Sequence, residues 1–234
     1  EMSVWAGSGS EDLGLSGGVG KDSFEAILNG ILPSGEGVAQ VENRRAGYDL
    51  TFSMPKSASV LAYVAGDKRI LNANQAAVQK AMDWVEKNLA EGRKGADGTP
   101  VRTGNLVYAL FQHDTSRALD PQAHIHAVVA NLTRLPDGKW QALHADKLWS
   151  NNSVIGSIYH AFLREEMEKL GYQVELRGKH GTFEIAGVSK AVLDAFSQRR
   201  EAILEKAAEL GITSAKGRDG VTTNTRDPKL NVED

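Results

Sequence analysis

The sequence predicts an α+β fold. Three observations carry the prediction. Stretches 48–54, 104–113 and 124–133 have strand patterning. Turn signals fold later segments back antiparallel on themselves. Helical periodicity falls between these hairpins instead of alternating strictly with single strands. The 234 residues are 41% hydrophobic, enough for one large domain with its own core, and no Pro/Gly/Ser-rich linker divides residues 1–234.

The elements follow in order. Many of the 24 glycines lie in residues 1–37, so that segment reads as loop-rich. Within it, SFEAILNGIL (23–32) reads as a short helix with Ser23 as its N-cap. YDLTFSM (48–54) alternates and carries aromatic and β-branched residues, so it is a strand. Val78, Met82, Val85 and Leu89 recur at helical spacing across 72–90. GNLVYALFQH (104–113) is apolar on both faces, the pattern of a covered strand. Residues 124–133 form the next strand. Leu135-Pro136-Asp137-Gly138 turns the chain, and 139–143 return antiparallel. A helix over 154–170 turns Ile155, Ile158, Tyr159, Phe162 and Leu163 inward, with Gly171 as its C′ residue. QVELR, a GKHG turn and TFEI make a further hairpin, and a long helix is expected over about 189–210. The sequence has no internal repeats.

Composition narrows the function classes. There are no cysteines, which excludes disulfides and thiolate chemistry and fits a reducing compartment. No run of eighteen apolar residues and no signal-peptide pattern occurs, which points to a soluble, cytoplasmic chain with no membrane partner. The net charge of −3 argues against a globally basic nucleic-acid binder. Local basic clusters do occur, at Arg44-Arg45, Lys68-Arg69, Arg199-Arg200 and in the stretch holding Lys216, Arg218, Arg226 and Lys229.

His113, His124 and His126 fall within fourteen positions. Side chains alternate along a strand, so His124 and His126 share a face with Val128, Ala130 and Leu132, while Ile125, Ala127 and Val129 face the other way. His113 ends the preceding apolar strand. Antiparallel pairing of the two strands would bring all three imidazoles together as a metal site with open positions. Such a site suits a zinc hydrolase, a non-haem oxygenase or a phosphodiester-cleaving enzyme, and spacing does not choose among them. His144, His160 and His180 read as surface or satisfied core positions.

The residues around the histidines do choose. His113, Thr115-Ser116-Arg117, Asp120-Pro121-Gln122 and His124-Ile125-His126-Ala127-Val128 resemble the three-histidine signature of conjugative relaxases of the TraI/TrwC type, the MobF class of the HUH endonuclease superfamily. Other segments match in the same order: WAGSGSEDLGLSG (5–17), GYDLTFSMPKS (47–57), TGNLVYALFQHDTSR (103–117), KLGYQVELRGKHGTFEI (169–185) and NTRDPK (224–229). The resemblance covers nearly the whole chain.

It implies an antiparallel five-stranded sheet with helices on both faces, circularly permuted relative to replication initiators. The implied activity is site- and strand-specific nicking and religation at a plasmid transfer origin, through a tyrosine that becomes joined to the 5′ phosphate. The implied metal ligands are His113, His124 and His126, holding one divalent ion, magnesium or manganese by family habit, with zinc or nickel suited to the imidazoles. Asp49 matches the family's acidic residue, which hydrogen-bonds a ligating imidazole and assists tyrosine deprotonation. Lys56 and Arg117 are candidate DNA phosphate contacts. Implied partners are the single strand of a transfer origin, accessory relaxosome proteins and a type IV secretion coupling protein, in the bacterial cytoplasm.

One departure matters. The family's nucleophilic tyrosine lies upstream of the WxGxGxExLGL segment, and here that segment begins at Trp5. None of the five tyrosines fits the role. The reading is a single relaxase domain over 1–234 without the nucleophile segment or a helicase region. The rivals are a metal-dependent hydrolase or oxygenase of small molecules, and a mobilisation protein that binds single-stranded DNA without cutting.

Overall fold

The structure, a computed structural model, describes residues 2–115, 121–189, 205 and 225–226. The chain runs β1 (Ser3–Ala6), α1 (Ser8–Asp12), α2 (Lys21–Leu28), β2 (Gly47–Ser53), α3 (Lys56–Tyr63), α4 (Arg69–Leu89), β3 (Glu91–Lys94), β4 (Thr99–Arg102), β5 (Tyr108–Thr115), β6 (Pro121–Ala130), β7 (Thr133–Arg134), β8 (Trp140–Gln141), α5 (Asp146–Ser150), α6 (Asn152–Lys169), β9 (Val174–Arg177), β10 (Thr182–Ile185) and β11 (Thr225–Arg226). Five strands form one antiparallel sheet in the order β1-β5-β6-β2-β11, and three separate hairpins pair β3 with β4, β7 with β8 and β9 with β10. The α+β class and the five-stranded antiparallel sheet are as expected.

Alternation along the strands builds two cores. Tyr48, Leu50 and Phe52 of β2, Tyr108 and Leu110 of β5, and Ile125, Ala127 and Val129 of β6 face α3, α4 and α6. The helical stripe of α4 (Val78, Met82, Val85, Leu89) meets them, as its periodicity requires. Each fully buried Leu or Phe here contributes about 1.5–3 kcal/mol of transfer free energy. The opposite face is smaller: Phe24, Ile27 and Leu28 of α2 pack with Trp5, Val107, Ala109, Ala130 and Leu132. Helices therefore lie on both faces. On the second one, among the described residues, α2 covers the Val107–Ala130 end and reaches Phe111, the cross-strand partner of His126.

Differences from the sequence reading are local. The first predicted helix begins at Lys21, with Gly20 rather than Ser23 at its N-cap position, and stops at Leu28. Residues 139–143 return on the short strand β7 and not along β6, because the chain leaves the sheet after Ala130. The loop-rich N-terminal segment hides the edge strand β1 and the short helix α1. Arg44, from one of the local basic clusters, is a clamp: its guanidinium donates to the carbonyls of Leu28 (2.7 Å) and Asn131 (3.1 Å). Of the helix expected over about 189–210, all but residues 189 and 205 lies outside the described residues.

Two glycines explain part of the N-terminal motif. Gly7 has a φ of 95°, and a Cβ there would sit 2.4 Å from the Leu106 carbonyl oxygen. Gly9 donates its N–H to that same oxygen at 3.0 Å, and a Cβ on it would lie 2.6 Å away. Glu86 completes the junction by accepting from the backbone N–H groups of Ser8 and Leu106, each at 2.9 Å. Burial still holds the Glu86 carboxyl above its usual range.

Candidate active site

The pairing of β5 with β6 puts His113 directly opposite His124 and Phe111 opposite His126, while β2 sets Thr51 opposite His126 and Ser53 opposite His124. One sheet face therefore carries His113, His124, His126, Asp49 and Thr51. The register irregularity between His113 and Thr115 ends the regular ladder at the histidines. The three rings form a nearly equilateral triangle: centroids are 5.3 Å apart for His113–His124, and 5.1 Å for both His113–His126 and His124–His126.

That triangle fits a shared ion. Ligand nitrogens about 2.1 Å from one ion, tetrahedrally disposed, put imidazole centroids about 5 Å apart. Among the described residues no group of three or more histidine, cysteine or acidic side chains is arranged to hold a metal ion as it stands. The centroid spacing is the stronger guide. Strand pairing fixes where the rings sit, whereas the terminal torsion that aims each nitrogen is broad.

His126 is braced on one side. Its Nδ1 lies 3.1 and 3.0 Å from Asp49 Oδ1 and Oδ2, and 3.2 Å from Thr51 Oγ1. An unprotonated Nδ1 would set its lone pair against the carboxylate, so the proton belongs on Nδ1 and the lone pair on Nε2 is left for a ligand. The His126 side chain keeps 26% exposure and Asp49 17%, so the site is open to solvent from one side. Burial, followed by the neighbouring His126 and His113, pushes His124 down to about 4. It is therefore neutral and able to donate a lone pair at ordinary pH.

The other predicted residues separate. Lys56 is exposed at the first turn of α3, just past the end of β2 that faces His124. Arg117 lies outside the described residues. All five tyrosines belong to the opposite side of the sheet: Tyr48, Tyr108 and Tyr159 are buried in the α4–α6 core, and Tyr63 and Tyr172 pack against it. Four of the hydroxyls are also engaged. Tyr159 donates to Asn74 (2.6 Å), Tyr63 to Asp114 (2.8 Å) and Tyr172 to Asp67 (2.5 Å), and Tyr108 accepts from Gln79 (2.9 Å). Burial raises the hydroxyls of Tyr63, Tyr108 and Tyr159 further from ionisation. Thr51 is the site residue that sequence reasoning passed over. Its signal was present: it sits two residues from Asp49 on one strand, and hence on the same face.

Residues 1–234 match the family described as TrwC relaxase. The chain belongs to the TrwC relaxase family. Within that family it is 45% identical over 244 residues to the multifunctional conjugation protein TraI of Escherichia coli, covering 98% of this chain and 14% of TraI. The chain thus spans about one seventh of the curated relatives it matches. Among solved structures it is similar to the TrwC relaxase complexed with a 27-mer DNA comprising the recognition hairpin and the cleavage site. The identity is 39% and the TM-score 0.80, over 93% of this chain and 79% of that one. A copper-bound structure of the TrwC relaxase with oriT DNA gives 38% and 0.79, over 94% of this chain and 77% of that one.

Proposed function

We propose that this TrwC-family relaxase domain nicks and religates one DNA strand at a plasmid transfer origin, starting conjugative transfer, with His113, His124 and His126 holding one divalent ion. The observation that carries the reading is the triangle of imidazoles beside a carboxylate-braced His126, on an open sheet face. DNA-bound and copper-bound structures of the similar TrwC relaxase support it. A divalent ion on three neutral ligands keeps its full charge and would polarise the scissile phosphate; magnesium, manganese, zinc and nickel are the candidates.

The chain's own residues do the rest. His124, held neutral by burial, donates a lone pair without competing for a proton. Asp49 holds the proton of His126 on Nδ1 and leaves Nε2 free for the ion. Lys56 supplies a cation near the His124 end of the sheet, suited to a DNA phosphate, and Arg117 is proposed for the same task. Since all five tyrosines lie in or against the far core, the attacking hydroxyl is proposed to come from a tyrosine outside residues 1–234. Proposed partners are single-stranded origin DNA, accessory relaxosome proteins and a secretion coupling protein. Among the described residues no helix is long and apolar enough to cross a membrane.

Intact-mass measurement of the full-length gene product tests the reading. After incubation with a single-stranded origin oligonucleotide and manganese, a covalent adduct carrying the 5′-phosphorylated fragment is expected. His124→Ala should form almost none. Absence of any adduct, or equal adduct in His124→Ala, would refute it.

A further inference from the structure

Thr51 shares the Nδ1 edge of His126 with Asp49. The cross-strand pair Thr51–His126 belongs to the β2–β6 ladder, so its placement is set by the backbone and not by a flexible side chain. One N–H therefore faces three oxygens: two from Asp49 at 3.0 and 3.1 Å, and the Thr51 hydroxyl at 3.2 Å. A carboxylate alone, with both oxygens nearly equidistant, leaves the ring free to pivot about the Nδ1–carboxylate axis. A third acceptor off that axis removes the freedom. The Thr51 hydroxyl also accepts while keeping its own hydrogen available to a second acceptor. A valine there would keep the β-branched shape but lose the oxygen.

We propose that Thr51 is a positioning residue for the metal centre: its hydroxyl, with Asp49, fixes the proton of His126 on Nδ1 and aims the free Nε2 at the ion shared with His113 and His124. This rests on the metal-binding part of the function proposed above. The backbone register makes the contact specific to residue 51, and β-branched threonine is itself a strand-forming choice, so the hydroxyl is the only group that the position adds for the site.

Three variants test it: Thr51→Val, Thr51→Ser and His124→Ala, the last as a control for metal binding. Manganese affinity is read by titration, and the His126 tautomer by two-bond proton–nitrogen correlation in the metal-free protein. Thr51→Val should keep the parent's thermal midpoint, weaken manganese affinity about three- to tenfold, at or below the lower end of outer-shell effects, and mix a second tautomer into the His126 signals. Thr51→Ser should restore both readouts. Manganese affinity in Thr51→Val within twofold of the parent, or an unchanged single Nδ1–H pattern, overturns the role of Thr51. If His124→Ala binds manganese as the parent does, the fault lies with the metal-site reading, and the tautomer pattern alone then decides on Thr51.

Discussion

At the residue scale, the site rests on contacts that a single atom can break. Asp49 touches His126 through both carboxylate oxygens. That contact supports the proposal that Asp49 orients the ring and does not ligate. Asp49→Asn keeps the shape and an acceptor oxygen but removes the charge. Manganese affinity should fall roughly ten- to a hundredfold while the unfolding midpoint stays within a few degrees, the scale seen when outer-shell partners of ligating histidines are lost. Titration of both proteins measures this, and equal affinity would contradict it. A second histidine shows the same physics away from the site. His160 on α6 is 2% exposed and neither ring nitrogen makes a full hydrogen bond. The backbone of Gly156 favours the proton weakly, but burial outweighs it and lowers the His160 pKa. The unfolded chain, with an ordinary imidazole near 6.5, then binds a proton that the folded one refuses. Stability is full above about pH 6.5 and falls as pH drops below it toward the lowered folded value. His160→Leu should lose less stability between pH 7.5 and 5 than the parent in metal-free urea melts. An identical loss would show that His160 is not the group responsible.

At the scale of elements, the sequence was legible where periodicity and burial agreed. The stripe of α4 and the alternation of β2 and β6 each match one buried face, so their types and approximate bounds could be read directly. Gly171, at a φ of 94°, ends α6 as the pattern required. The misses share a cause. β1 has four residues, β3 and β4 flank a Gly- and Asp-rich turn, and α3 (KSASVLAY) is short and rich in small residues, so none carries enough period to read. Contact with the rest of the fold decides these elements. The junction of β1 with α1 is an example: its stability resides in the absence of side chains at Gly7 and Gly9. Gly9 has ordinary φ, so only space forbids a methyl group. Gly9→Ala drives a Cβ against the Leu106 carbonyl, the Val107 methyl and Asn105. It should cost about 1–3 kcal/mol, seen as a lower unfolding midpoint with the manganese affinity retained. A midpoint at or above the parent's would contradict the packing account.

At the scale of the whole molecule, the site is a product of sheet order. The H-x-H pair was visible in one strand, and His113 in the next. The contact between Asp49 and His126 spans 77 positions and depends on β2 lying beside β6, which no local pattern reveals. Resemblance to known relaxases supplied Asp49, and the sheet register supplied its distance. The same order sends Tyr48 and Tyr108 to the far core, because the strand residues alternating with the site's own are those facing α4 and α6. A crystal of this chain soaked with manganese, measured for anomalous scattering, tests the central claim most directly. The account predicts one peak on the open sheet face, about 2.1–2.2 Å from a single nitrogen of each of His113, His124 and His126, with Asp49 bound to His126 and not to the ion. No peak at the three rings, or an ion held by Asp49 in place of one of them, would contradict it.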